Sequence, residues 1–363
     1  MTDSTVAEPT TSVRSIVSRL RPLLLLFVGI GLLYIVQEQV FDVLSSADRL
    51  SEIRFVWFVA MAALEFVSFV CMWILIRELL PGTSLFLIAT SQLVSNSLSR
   101  TVPGGAAVGG ATMYRMLSVV GISPRQAATA MATTSILSNI WLFSIPAIAA
   151  VLAVLGAPVP ESLVPAAFAG ALLFTLLLTV GLVVLAFPGP LKLVGDFVDG
   201  LARSLGTMMK RDWSFDSEIL LDERKRLVEV LGSRGWQTLS AAAANWAFDY
   251  LALVAALFAA GAEPNLSMTL LAFVLTAVLG MIPLTPGGVG FVEVGLYSIL
   301  VLSGIPAAEA GLATVAYRTV SLLLPILAGA VAWPFYKARY QVNLMGPNEP
   351  RSYSIDEPTE RAA

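Results

Sequence analysis

The clearest candidate for chemistry in this sequence is a pair of Pro-Gly-Gly steps. Their residue types could bind an anion within a membrane. Each step divides an apolar stretch of membrane-crossing length into two segments that are too short to span. A helix that begins inside a bilayer leaves its first backbone N–H groups unpaired at the positive end of the helix dipole. Glycines at that start let a ligand approach the bare backbone closely. The residues of the two predicted anion-binding helix starts are Pro103, Gly104 and Gly105, and Pro286, Gly287 and Gly288.

The similarity between the two steps continues downstream at a constant offset of 183 residues. Nine of the 28 positions from 103 to 130 are identical to their counterparts, where a chain rich in Ala, Leu and Gly would give roughly three by chance. The sequence therefore predicts a duplicated unit at about residues 84–155 and 266–336. The alternative for either step alone is that Pro and Gly only kink a helix and allow it to pack closely.

Ionisable side chains within the apolar segments are a second chemical signal. A charge at the centre of a membrane helix costs about 2.5 to 3.5 kcal/mol, so such side chains should face an interior cavity. Arg100 and Arg115 flank the first Pro-Gly-Gly step, where two guanidinium groups could hold a phosphate bidentately. The alternative for Arg115 is that it snorkels to the nearby membrane surface.

A carboxylate and a phenol follow the second step. Glu293 and Tyr297 are one helical turn apart and therefore share a helix face. Glu293 could neutralise a cationic headgroup or form a structural ion pair with Arg318 in the last apolar segment, and the sequence leaves both interpretations open. Glu65 and Asp249 also lie in apolar segments, but no feature of the repeat singles them out.

The composition defines the class of protein. Hydrophobic residues make up 57% of the 363 and charged residues 13%, with a mean hydropathy of +0.81, which predicts an all-α polytopic membrane protein. The chain has no histidine and one cysteine, so we expect no metal site and no cofactor. Its formal net charge of −3 resides in a few loops, and no nucleic-acid partner is expected.

The predicted architecture has about six full transmembrane helices and two re-entrant broken helices. We expect disorder in residues 1–18 and 341–363 and a cytoplasmic polar loop over residues 188–235. The expected full spans begin near residue 22 and cover about residues 55–76, 126–155, 163–187, 238–260 and 309–335. The expected broken regions cover residues 85–120 and 266–304.

Basic residues near the span ends place both termini in the cytoplasm and the chain in the inner (cytoplasmic) membrane. Three full spans separate the two broken regions. The first region would therefore enter from the cytoplasm and the second from outside. This inverted repeat would let two half-structures rock around one shared site.

The residues around the steps resemble a known family. The stretch Pro-Gly-Gly-x-Gly-x-x-Glu at residues 286–293, followed by Gly304 and Arg318, is similar to the signature of the lysylphosphatidylglycerol synthase transmembrane region, a flippase-like domain. The first unit, with Asn96, residues 103–105 and Arg115, resembles the corresponding N-terminal element. The resemblance implies a flippase-like transmembrane domain over about residues 19–340.

In the best-known members of that family, the domain moves aminoacylated phosphatidylglycerol across the bilayer and a soluble C-terminal domain makes the lipid. The sequence ends at Ala363 without such a domain, so the resemblance implies a stand-alone member and no enzyme activity. The expected ligand is a membrane lipid with an anionic or zwitterionic phosphate headgroup. No nucleotide motif is present, so transport would be downhill or ion-coupled.

Three other functions remain open at this point. The chain could be a membrane scaffold or regulator that recruits a lipid-synthesising partner protein through the 188–235 loop. It could be an intramembrane lipid transferase, for which the sequence offers only lone acids as bases. It could also be a small-solute transporter with the same inverted fold, and any of these proteins could form a homo-oligomer.

Overall fold

The computed structural model describes residues 48–102, 104–154, 217–282 and 285–340, together with residue 45 and scattered residues between 165 and 200. The expected disordered ends, the span beginning near residue 22, Pro103, and most of residues 155–216 lie outside the described residues. The described part is 87% helical and contains no strand. The all-helical class predicted from the sequence is therefore confirmed.

The described elements are nine α-helices with three short helical turns. Their bounds are α1 Phe55–Leu79, α2 Leu85–Thr101, α3 Gly105–Val119, α4 Pro124–Val154, α5 Ser217–Ala259, α6 Leu266–Gly280, α7 Phe291–Leu302, α8 Ala307–Arg318 and α9 Leu324–Tyr340. Two 3-10 turns cover Asp48–Glu52 and Pro286–Gly288, and a π-helical turn, Thr319–Leu323, joins α8 to α9 without interruption.

Three helices of the described chain are long and apolar enough to cross a bilayer. They are Phe55–Leu79, Gly235–Ala259 and the continuous helix Ala307–Tyr340. Shorter apolar helices cover Leu266–Gly280 and Pro286–Leu302. The described residues therefore support a helical, multi-pass membrane protein.

Both predicted helix breaks are present. In the first region α2 ends at Thr101 and α3 begins at Gly105, and in the second α6 ends at Gly280 and α7 begins at Phe291. Residues 217–235 of the predicted polar loop are helical, because α5 begins at Ser217, while the membrane-crossing part of this helix begins at Gly235. Its first part lacks proline and has Leu220, Leu227 and Leu231 at helical spacing among the charges, a pattern that favours an amphipathic helix.

The identities between the two units correspond to matching backbone roles at the breaks. Gly104 and Gly287 both adopt the left-handed region, with φ of 69° and 61°. A side chain at these positions would strain the backbone. The first glycine of each Pro-Gly-Gly step is thus required by the turn itself.

The ends of α3 and α7 match in the same way. Ile122 N–H donates to the Leu117 carbonyl at 3.2 Å, and Ile305 N–H donates to the Leu300 carbonyl at 3.1 Å. These are the bonds that close a Schellman motif after a left-handed glycine. Three of the six identities downstream of the steps, Leu117, Gly121 and Ile122, therefore serve to end the two helices.

Small residues let the helices around the first break pack closely. The helix α2 packs against α3 and α9, while α1 packs along α5. A Cβ atom on Gly329 of α9 would overlap the Leu93 carbonyl and the Ser97 side chain of α2. Ser97 Oγ also donates to the Ile326 carbonyl at 3.1 Å, so the backbones of α2 and α9 are in near contact.

Gly329→Ala should destabilise the protein by about 1 to 3 kcal/mol, because the added methyl group overpacks the contact between α2 and α9. Thermal unfolding of the detergent-purified protein, followed by size exclusion, measures the effect. The matched control is Gly232→Ala in α5, where nothing lies within 4 Å of the new Cβ atom. Equal melting temperatures for the two variants would contradict the close contact.

Candidate functional site

The two helix breaks line one cavity of about 430 Å³, here called the shared cavity. The first break contributes Arg100, Gly104 and Gly105 to its wall. The second break contributes Gly287 and Gly288, and Arg318 lies at the end of α8. The contact is close, because a Cβ atom on Gly287 would lie 2.8 Å from the Arg100 carbonyl oxygen.

Arg100 connects the end of α2 to the π-helical turn after α8. Its Nε atom donates to Asn96 Oδ1 at 2.7 Å, and its Nη1 atom donates to the Ser321 carbonyl at 2.8 Å. A π-helical turn disturbs the regular ladder of helical hydrogen bonds, and in this turn the Ser321 carbonyl accepts the arginine. The two bonds use two of the five N–H groups of the guanidinium.

Arg318 is held by the second break. Its Nε atom lies 2.6 Å from Glu293 Oε1, and its Nη2 atom donates to the Gly287 carbonyl at 2.8 Å. Both side chains of the ion pair are largely buried, with 11% and 14% of their surfaces exposed. Of the two interpretations left open for Glu293, the structure shows the ion pair.

The starts of α3 and α7 differ chemically. At α7, Glu293 Oε2 accepts the Gly290 N–H at 2.7 Å, which is the half of a capping box that the glutamate supplies. The positive end of α7 therefore already has a carboxylate beside it, and the expectation of an open anion site there is corrected. At α3, Gly104 provides no capping side chain, and Gly104, Gly105 and Ala106 line the shared cavity.

Two carboxyl groups complete the wall of the shared cavity. Glu65 of α1, which is 5% exposed, and Asp249 of α5 both line this cavity and interact electrostatically. Tyr317 Oη donates to Asp249 Oδ1 at 2.7 Å. Two buried atoms of the lining residues, Glu65 Oε1 and Ser321 Oγ, have no hydrogen-bond partner within the described part of the chain.

A protein-family model described as the lysylphosphatidylglycerol synthase TM region matches residues 22–329. The chain belongs to this family. A UPF0104 membrane protein of Methanothermobacter thermautotrophicus is 28% identical over 112 residues. That match covers 31% of this chain and 32% of the relative, about a third of the length of each protein.

The cavity of this family member contains only some of the residues predicted for the site. Arg115 is exposed on α3 and does not line the shared cavity. It is ten residues beyond Gly105, which at 1.5 Å per residue separates it from the helix start by about 15 Å. The expected clamp of Arg100 and Arg115 on one phosphate is therefore corrected.

The other described residues of the predicted site that do not line the cavity belong to the hydrophobic core or to the second break. Tyr297 is 6% exposed and packs in the hydrophobic core. Pro286 begins the 3-10 turn of the second break and is not among the lining residues. Pro103 lies outside the described residues. Glu293 acts on the cavity through Arg318.

Sequence reasoning gave too little weight to Glu65 and Asp249 and did not single out Tyr317. The only signal for the two acids was that ionisable residues in apolar segments are expensive. Their partnership joins residues 184 positions apart, and no local pattern reveals it. Tyr317 immediately precedes Arg318 in α8, which was the one available hint.

A second cavity of about 370 Å³ adjoins the shared cavity, since Asn96 and Ser99 line both. Its other polar lining residues carry hydroxyl or amide groups, and none of its lining residues is charged. These polar residues are Gln92, Ser95, Thr134, Ser135, Ser138 and Asn139. A polar surface therefore continues from Arg100 between α2, α3 and α4.

Glu293→Ala should lower the free energy of unfolding by about 3 kcal/mol, because it leaves the largely buried Arg318 without its carboxylate and removes the cap of α7. Denaturant unfolding in detergent measures the loss. Glu309→Ala, in the first turn of α8, is the control and should lose much less. A loss at Glu293 no larger than at Glu309 would argue against a structural ion pair.

Proposed function

We propose that this family member moves a phospholipid or a lipid-linked headgroup across the cytoplasmic membrane. The observation that carries the proposal is that both helix breaks, with Arg100 and Arg318, line one cavity. A volume of about 430 Å³ lies in the range of small-molecule sites and suits a headgroup. The acyl chains would remain in the lipid.

The headgroup phosphate binds beside the start of α3 and the guanidinium of Arg100. The uncapped N–H groups at Gly105 and Ala106 supply the positive end of the helix dipole. Arg100 has N–H groups beyond those that contact Asn96 and Ser321. The site is therefore asymmetric, with the anion on the side of the first break.

Movement follows from the duplicated units, which we place in inverted orientation with both termini in the cytoplasm. Rocking of one unit against the other exposes the shared cavity to each leaflet in turn. Arg100 joins the units through its bond to the Ser321 carbonyl. A phosphate that draws Arg100 away from that carbonyl weakens this contact between the two units. The bound ligand therefore favours one relative orientation of the units over the other.

The Glu65–Asp249 pair supports a second candidate, an intramembrane lipid transferase. Paired carboxyl groups can serve as general acid and base, and the pair lines the cavity that would hold the headgroup. The two candidates predict different products. A transferase changes the lipid chemically, whereas a translocase changes only its leaflet.

Arg100→Gln should slow lipid movement at least about tenfold, the equivalent of losing one charge-assisted hydrogen bond of about 1.5 kcal/mol. The assay uses liposomes with fluorescent phosphatidylglycerol in both leaflets and follows bleaching by an external reductant over time. Arg77→Gln is the matched control, since Arg77 is exposed at the end of α1 and does not line the cavity.

Full activity of Arg100→Gln would remove the proposed phosphate site. If the fluorescent lipid in liposomes with wild-type protein is bleached no faster than in protein-free liposomes, the result would count against lipid movement. Mass spectrometry of the same liposomes decides between the candidates, because an altered lipid without a change of leaflet indicates the transferase.

A further inference from the structure

We propose that Glu65 and Asp249 form a proton-binding site whose proton is taken up together with the anionic headgroup. The inference rests on the proposed function, because the anion is the ligand placed in the shared cavity. It adds a coupling ion to that function. Transport would then draw on a proton gradient.

The carboxyl pair is held in place by the contact between α1 and α5. One turn from Glu65, Ser68 Oγ donates to the Asn245 carbonyl at 2.9 Å. The Asn245 Nδ2 atom returns hydrogen bonds to the Ser68 carbonyl at 3.1 Å and to Ser68 Oγ at 2.7 Å. These bonds fix the register of the two helices and so keep the backbones of Glu65 and Asp249 in place beside each other.

Two ionised carboxylates in contact away from water repel each other strongly, and a proton between them turns the repulsion into a hydrogen bond. Asp249 already accepts the hydroxyl of Tyr317, which leaves Glu65 to carry the shared proton. The unpartnered Oε1 atom of Glu65 belongs to a residue that lines the shared cavity. This buried oxygen is therefore available to hold the proton beside the ligand site.

A metal cation fits this pair poorly. Among the described residues no group of three or more His, Cys, Asp or Glu side chains could hold a metal ion. Arg100 and Arg318 also interact electrostatically with both acids, and their positive charges oppose a divalent ion. A proton needs neither a third ligand nor a larger negative charge.

The charged and titratable groups facing the pair come from α2 and from the end of α8. They are Arg100, Tyr317 and Arg318, while the residues of α6 that line the cavity are not ionisable. Glu293 balances Arg318 through their ion pair. The remaining charge of the cavity is thus set by Arg100 and by the number of protons on the carboxyl pair.

Each proton on the pair makes the shared cavity more positive by one charge. A positive cavity attracts the phosphate more strongly, and a bound phosphate in turn stabilises the added proton. Binding linkage makes the two effects equal in free energy. Proton uptake and anion binding therefore reinforce each other, as symport of the two requires.

The test titrates detergent-purified wild-type protein with dihexanoyl phosphatidylglycerol, a phosphodiester that keeps its charge through the neutral range. Quenching of tryptophan fluorescence reports binding, since Trp246 lines the cavity. A pH dye in weakly buffered solution reports proton uptake. We expect uptake approaching one proton per bound lipid and a Kd that weakens about tenfold per pH unit at full coupling.

Glu65→Gln mimics the protonated acid and should bind the lipid without proton uptake and with a Kd that no longer depends on pH. Asp249→Asn is a second variant with the same expected result. Glu263→Gln, an exposed acid between α5 and α6 that does not line the cavity, is the matched control and should retain wild-type uptake.

Each outcome decides a separate point. Lipid binding by the wild-type protein with no proton uptake and a flat Kd would overturn the coupling and leave the proposed function standing. No lipid binding at any pH would count against the proposed function itself. Unchanged uptake in both Glu65→Gln and Asp249→Asn would place the proton elsewhere, and if neither variant folds, the wild-type uptake measurement alone decides.

Discussion

The burial of charge within an apolar helical bundle is the constraint on which this structure depends. An uncompensated charge in the membrane interior is expensive, so each charged group near the helix breaks has a specific counterpart. Arg318 pairs with Glu293, Arg100 reaches the Ser321 carbonyl, and Asp249 accepts the hydroxyl of Tyr317. The bond of Arg100 links the first break to the turn after α8, and both breaks line the shared cavity.

The same constraint makes a duplicated sequence chemically unequal. Gly104 and Gly287 turn the chain in the same left-handed conformation. Only the second break has a carboxylate in the first turn of the following helix, and that carboxylate both caps α7 and holds Arg318. The positive end of α3 is left open to the cavity. A repeat with matching backbones thus leaves the proposed anion site on the side of the first break alone.

The local parts of this arrangement could be predicted from sequence, because local residues determine them. Proline and glycine set the bounds of α2 and α3, and the recurring Leu-x-x-x-Gly-Ile pattern ends α3 and α7. The partnership of Glu65 with Asp249 and the place of Arg100 beside the second break could not be predicted. Both depend on which helices become neighbours and on which face of each helix meets the other, and no local spacing encodes that.

The positions of the polar bonds also indicate which parts can move. Ser68 and Asn245 fasten α1 to α5 by three hydrogen bonds, each of which is costly to break away from water. The contact between the two breaks is weaker, because it depends on a bond from Arg100 to the Ser321 carbonyl. A phosphate could take the place of that carbonyl. In the proposed transport cycle, rocking would therefore occur at the contact of Arg100 with Ser321, around a fixed frame of α1 and α5. The carboxyl pair lies on that frame, so the proposed proton site would keep its geometry during such a movement.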